Sequence, residues 1–206
     1  MTIERDILAR SKRLFLRYGI RSVTMDDISK EMGISKKTLY QYVDNKADLI
    51  RRILYQTLQE EKAAQEKISQ AAQDAIEEMI GIVKHVTRML SMVPPSTLYD
   101  MQKYYRESWE LMQAHNTDHV CDTILDNIHR GREEGVYRTD FNPQFVARLF
   151  VGKIPLIADE ELFPSKEYAR EQLFVEFINY HLHGIASERG LQLMQHYLAN
   201  EKLSGL

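Results

Sequence analysis

The sequence predicts an all-α fold: an N-terminal three-helix head, then a helical-bundle domain, with about nine to ten helices in all. Three observations predict it. Apolar residues recur three and four positions apart along most of the chain. Helix-stopping residues punctuate that pattern at Gly19, Gly33, Pro94-Pro95, Gly135 and Asn142-Pro143. No stretch alternates as a strand would, and neither repeats nor low-complexity segments occur. With 206 residues, 44% of them hydrophobic and 28% charged, the chain is long enough to bury a sizeable core.

Residues 3–18 read as one amphipathic helix. Ile7, Leu8, Ser11, Leu14, Phe15 and Tyr18 share its apolar side, with Arg5, Arg10, Lys12, Arg13 and Arg17 largely opposite. Thr24-Met25-Asp26-Asp27 has the form of a capping box that opens a second helix. Gly33 ends that helix, and Ser35 caps a third over Lys36 to Tyr42. Together these make a helix-turn-helix. Leu39 and Val43 face inward, leaving Lys36, Lys37, Thr38, Tyr40, Gln41 and Tyr42 around the rest, a set that suits a phosphate-lined groove.

Asn45 to Asp48 is a second capping-box pattern and begins a helix over 46–70. Further helices are predicted over 74–92, 98–104, 106–132, 143–158, 165–186 and 190–201. The domain boundary is placed at residue 50, giving a helix-turn-helix domain over 1–50 and a helical domain over 51–206.

Net charge is −3, but it is unevenly spread. Residues 1–55 carry twelve Lys/Arg against seven Asp/Glu, a net +5, and the remainder carries fifteen against twenty-three, a net −8. A basic head on an acidic body can meet DNA with one end only. The lone cysteine, Cys121, cannot form an internal disulfide, and the sequence has no apolar signal core and no apolar run of about 18 residues. A cytoplasmic protein with no membrane partner is expected.

Residues 1–55 resemble the head of the TetR (tetracycline-repressor-like) family of bacterial regulators. The resemblance rests on Leu14-Phe15, Tyr18-Gly19, Val23 to Ile28, Met32 to Lys36, Thr38 to Tyr40, Tyr42-Val43 and Asn45-Lys46. Turn, cap, core and basic positions agree in register. The remainder matches only in layout. The resemblance implies a homodimeric repressor on double-stranded operator DNA, released when an unknown small-molecule effector shifts the 46–70 helix. It also implies base reading by Lys36, Lys37, Tyr40 and Gln41, and phosphate binding by Thr24, Ser35, Thr38, Tyr42 and Lys46. Many members carry His and Phe where Tyr42 and Val43 stand here. The competing readings are an activator, or a helical small-molecule-binding or interaction module without DNA-linked release.

Other candidates are less specific. Tyr99, Met101, Tyr105, Trp109 and Met112 form an aromatic and methionine set that usually means core but could line an effector pocket. On the 165–186 helix, Phe174 and Ile178 lie on one face and Phe177 on another. One of these faces, together with Phe145, Leu149 and Gly152, is expected to meet a second copy. His115 and His119 have metal-binding spacing beside Cys121 and Asp122, but no second pair accompanies them, so neither a metal nor a cofactor is expected. The sequence holds no nucleophile elbow, glycine-rich phosphate loop or HExxH, so an enzyme is not expected.

Overall fold

The structure is a computed structural model that describes residues 3–157 and 159–203. Among the described residues the regular secondary structure is helical, with one isolated β-bridge, Tyr137 with Ala186. Two compact units form: Met1–Glu61 with Met92–His115, and Lys62–Ser91 with Asn116–Leu206.

The first unit contains α1 (Ile3–Tyr18), α2 (Met25–Met32), α3 (Lys36–Leu39), the first part of α4 (Lys46–Ala71), α6 (Pro95–Tyr104) and α7 (Arg106–His115). Its core is Ile7, Phe15, Ile20, Val23, Ile28, Leu39, Val43, Leu49 and Ile50. These are the positions left on the inner faces once basic residues take the outer ones. Burying a side chain of this size contributes about 1.5–3 kcal/mol. Tyr105, just after α6, packs against the same cluster.

Asp48 gives α4 a firm start. Its amide donates to Asn45 Oδ1 (3.0 Å), as the second capping box predicts. The reciprocal bond differs: Asp48 Oδ2 accepts from the Asp44 amide (3.2 Å). The carboxylate also takes Arg51 Nη2 and Arg52 Nε, both at 2.9 Å, and Arg52 reaches Glu4 of α1 at 3.1 Å. Burial opposes ionisation of Asp48, yet the hydrogen bonds from Arg52, Asp44 and Arg51 prevail and hold its carboxyl below the ordinary range.

The second unit contains the end of α4, then α5 (Ala75–Met92), α8 (Cys121–Glu133), α9 (Pro143–Ile157), α10 (Arg170–Ile185) and α11 (Glu188–Leu203). Its core includes Ile76, Met79, Ile124, Ile128, Phe150, Phe174, Ile178 and Leu182. A buried polar cluster ties four segments together. Asn127 Nδ2 donates to Ala75 O and Glu78 Oε2, each at 3.0 Å, and Tyr137 OH donates to Asn127 Oδ1 at 2.8 Å. Arg130 Nη1 and Nη2 donate to Ser69 O (3.2 Å) and Ala72 O (2.8 Å), satisfying carbonyls that the end of α4 leaves open. Gly131 is obligatory because the Tyr137 ring lies where a Cβ would stand.

Four departures from the expected helices are larger than a one- or two-residue shift at an end. The helix opened by Ser35 stops at Leu39, because Gln41 N→Thr38 O (3.1 Å) and Tyr42 N→Leu39 O (3.0 Å) are tight turn bonds that no longer propagate an α-helix. The helix expected over 98–104 starts at Pro95, where a proline lacks only an amide that no helix uses. The long helix expected over 106–132 is interrupted by a π-turn, Asn116–Val120, that begins where the two units part. Residues 165–169 precede α10 rather than belonging to it.

Candidate nucleic-acid interface

The helix-turn-helix is built from local hydrogen bonds. Thr24 Oγ1 accepts from the Asp27 amide (3.2 Å), and Asp27 Oδ2 accepts from the Thr24 amide (2.9 Å) and hydroxyl (2.7 Å). The capping box is therefore reciprocal. Those two bonds from Thr24, side chain first, hold the Asp27 carboxyl below its ordinary range. Gly33 ends α2 at φ 66°, a backbone conformation that side chains resist. Ser35 Oγ accepts from the Thr38 amide at 3.0 Å and lies 2.8 Å from Thr38 Oγ1.

Leu39 (fully buried) and Val43 (1% exposed) anchor α3 and the turn after it. With that face fixed, Lys36, Lys37, Tyr40 and Gln41 are left exposed together on the outer side. Tyr42 is half-buried and packs against the head core. Lys36 Nζ lies 2.5 Å from Asp26 Oδ1. Asp26 and Lys36 are brought together by the turn, and nothing in their spacing on separate helices announced the pair.

Lys46 opens α4. Its ammonium points to Arg21 O (3.5 Å) and lies 5.8 Å from the centre of the Phe15 ring. Burial lowers its pKa, and Asp100 and Asp27 pull the other way. Thr24, Ser35 and Lys46 thus stand at the starts of α2, α3 and α4, where unpaired amides and helix dipoles favour anions.

The five residues singled out as pocket lining are placed differently from one another. Tyr99 is exposed and its hydroxyl accepts from Lys103 Nζ at 2.8 Å. Met101 is buried, Tyr105 belongs with the head core, and Trp109 and Met112 are half-buried. An open groove of about 820 Å³ runs between α1, α4 and α7, lined by Leu8, Arg51, Tyr55, Glu107 and Leu111 among others, and none of the five lines it.

The residues singled out for dimer contact also separate. Phe145 and Leu149 are exposed on α9 (62% and 44%), and a Cβ on Gly152 would meet open space. Phe174 and Ile178 are buried in the unit's own core, with Phe177 half-buried beside them. The α10 face that remains outward carries Tyr180. The π-turn takes His119 out of α-helical register with His115, and among the described residues no group of three potential metal ligands forms.

The sequence profile of the tetR family of bacterial regulatory proteins matches residues 7–53, spanning α1 to the start of α4. Over that span the chain is similar to the TetR family. A curated relative, an uncharacterised HTH-type transcriptional regulator YvaF of Bacillus subtilis (strain 168), is 22% identical over 193 residues, covering 90% of this chain and 97% of its own. Among solved structures, a TetR-family regulator from Agrobacterium tumefaciens superposes with TM-score 0.69 at 18% identity, covering 89% of this chain and 97% of that one. SmeT, described as the repressor of the Stenotrophomonas maltophilia multidrug efflux pump SmeDEF, superposes with TM-score 0.70 at 16% identity, covering 91% and 92%. SmeT is also known as a triclosan complex. Residues 7–53 therefore form a TetR-type helix-turn-helix head, as expected of a DNA-binding transcriptional regulator, and among the described residues no helix is long and apolar enough to cross a membrane.

Proposed function

We propose that this regulator is a homodimeric repressor that binds a two-fold operator through residues 1–50 and leaves it when residues 51–206 take up a small molecule. The observation that carries the DNA part is the exposed set Lys36, Lys37, Tyr40 and Gln41 standing over a fully buried Leu39. Such a face donates and accepts along base edges in the major groove. Thr24, Ser35, Thr38, Tyr42 and Lys46 supply the phosphate contacts that fix its register. The repressor role and the effector are supported by likeness of fold to SmeT alone. An apolar or aromatic effector is the reading, with Tyr105, Trp109 and Met112 the half-buried members of the proposed lining.

The dimer reading uses the outward face of α9 and α10: Phe145, Leu149, Gly152 and Tyr180, backed from within by Phe174, Phe177 and Ile178. Exposed apolar side chains along one helix face are costly in a monomer and are relieved by a second copy.

The test is selection of duplexes from a randomised pool by the purified protein, followed by a thermal-shift ligand screen and release assays with any stabilising compound. A two-fold consensus, released by a stabilising ligand, is the expected result. Recovery of no consensus would sink the DNA reading. A ligand that tightens binding would replace release with co-repression or activation.

A further inference from the structure

The loop after α1 and the end of α6 form a cationic and aromatic cluster that the helix-turn-helix does not use. The Arg21 guanidinium sits 4.7 Å from the centre of the Tyr104 ring. Lys103 Nζ lies 5.5 Å from the same ring and 5.2 Å from the Tyr99 ring. Tyr99 and Tyr104 are 53% and 45% exposed, and both cations are exposed. Among the described residues, no carboxylate pairs with Arg21 or Lys103.

Two facts tie this cluster to the DNA side of the head. Arg21 O accepts from Lys46 Nζ, so the loop lies against the residue assigned to a phosphate at the start of α4. Arg21 is also three residues before Thr24, the cap assigned to a phosphate at the start of α2. The acidic residue of α6 is turned away: Asp100 is 8% exposed, and Lys46 and Tyr105 feel its charge. α6 therefore presents positive charge outward and negative charge inward.

We infer that Arg21 and Lys103, oriented by the Tyr104 and Tyr99 rings, form an additional backbone-phosphate site that extends the DNA footprint of the head beyond the helix-turn-helix. The ligand is a phosphodiester of the strand already held at Thr24 and Lys46. A guanidinium held over an aromatic ring by a cation–π contact retains N–H donors for phosphate oxygens. The hydrogen bond to Tyr99 favours the charged form of Lys103 and limits its motion. Contacts of this kind add affinity without reading sequence. The inference rests on the DNA-binding reading above and assigns it two further residues.

The test compares wild type, Arg21→Gln, Lys103→Gln and the charge-conserving Arg21→Lys and Lys103→Arg. Each is titrated against a duplex selected from the randomised pool and against a scrambled duplex, over a range of salt, with thermal denaturation as the fold control. Each Gln variant should bind both duplexes more weakly and lose about 0.9 from the salt slope. Wild type's advantage over it should then shrink about 3.5-fold across a fourfold rise in salt. The charge-conserving variants should keep the slope. Folded Gln variants with the wild-type slope would overturn this inference and leave the DNA-binding reading intact. Equal loss in the charge-conserving variants would show that the cluster acts by packing, and would overturn it too. A wild type that binds no duplex in a salt-dependent way would overturn both readings.

Discussion

Asp26→Asn should tighten DNA binding. Lys36 is the first residue of α3 and the leading base reader, yet its ammonium is held 2.5 Å from Asp26, with side chains 52% and 50% exposed. A half-exposed pair of this kind contributes about 0.2–1 kcal/mol. Lys36 must surrender that contact to reach a base edge, and the Asp26 carboxylate must approach phosphates. Removing the charge while keeping the shape should therefore contribute about 0.5–1 kcal/mol to binding, about two- to fivefold in affinity. Loss of an acidic group from the first turn of α2 costs the fold about 0.3–1 kcal/mol, but that cost falls on folding and not on association. The Thr24–Asp27 box is untouched, and Asp26 O still accepts from Ser29 Oγ at 2.9 Å. Fluorescence anisotropy with the selected duplex reads the affinity, and a double-mutant cycle with Lys36→Gln isolates the pair. The gain should be largest at low salt and should shrink once Lys36 is gone. An unchanged affinity in Asp26→Asn, or an equal gain in the Lys36→Gln background, would refute the idea that Asp26 restrains Lys36.

Three further outcomes follow from buried groups. Asp48→Asn should cost about 1–2 kcal/mol in urea denaturation, discounted because its arginine partners are partly exposed. Since the Asp48 carboxyl is held below its ordinary 3.8, its contribution should be complete above that pH and disappear as the pH falls through the lower folded value. Tyr137→Phe should cost about 1–3 kcal/mol, because Asn127 Oδ1 then loses a donor at 2.8 Å inside the core. His181 is 9% exposed and edge-on to Phe150 at 4.8 Å, and burial, with Lys153 second, pushes its pKa to about 4. The unfolded chain binds a proton below about 6.5 that the folded chain refuses, so stability should fall by about 2 kcal/mol from pH 7 to pH 5. In His181→Leu that part of the acid loss should be absent.

What could be read in the sequence is what its residues settle among near neighbours. Thr24 and Asp27 are three apart, so their reciprocal bonds follow from the spacing, as do the Ser35 cap and the Gly33 stop. The Leu39 and Val43 face follows from helical periodicity, and with it the exposure of Lys37, Tyr40 and Gln41. Contacts that depend on how segments pack were not legible. Asn127, Glu78 and Tyr137 look like ordinary polar helix and turn residues until the second unit folds and Ala75 O arrives between them. Phe174 and Ile178 share a helical face with the same spacing that a dimer seam would show, and only packing against α9 assigns that face to the monomer core. The π-turn at Asn116–Val120 has no glycine or proline to announce it.

The Asp26–Lys36 pair shows why this division matters for function. Periodicity correctly puts Lys36 on the outer face, but outer is not the same as free. A basic residue read from sequence as a DNA contact has its affinity set partly by the acid that the turn brings to it. The sign of that effect, a restraint rather than a support, follows only once the two helices are placed. Base preference at the Lys36 position and its salt dependence should therefore respond to Asp26, a residue that needs to touch no base.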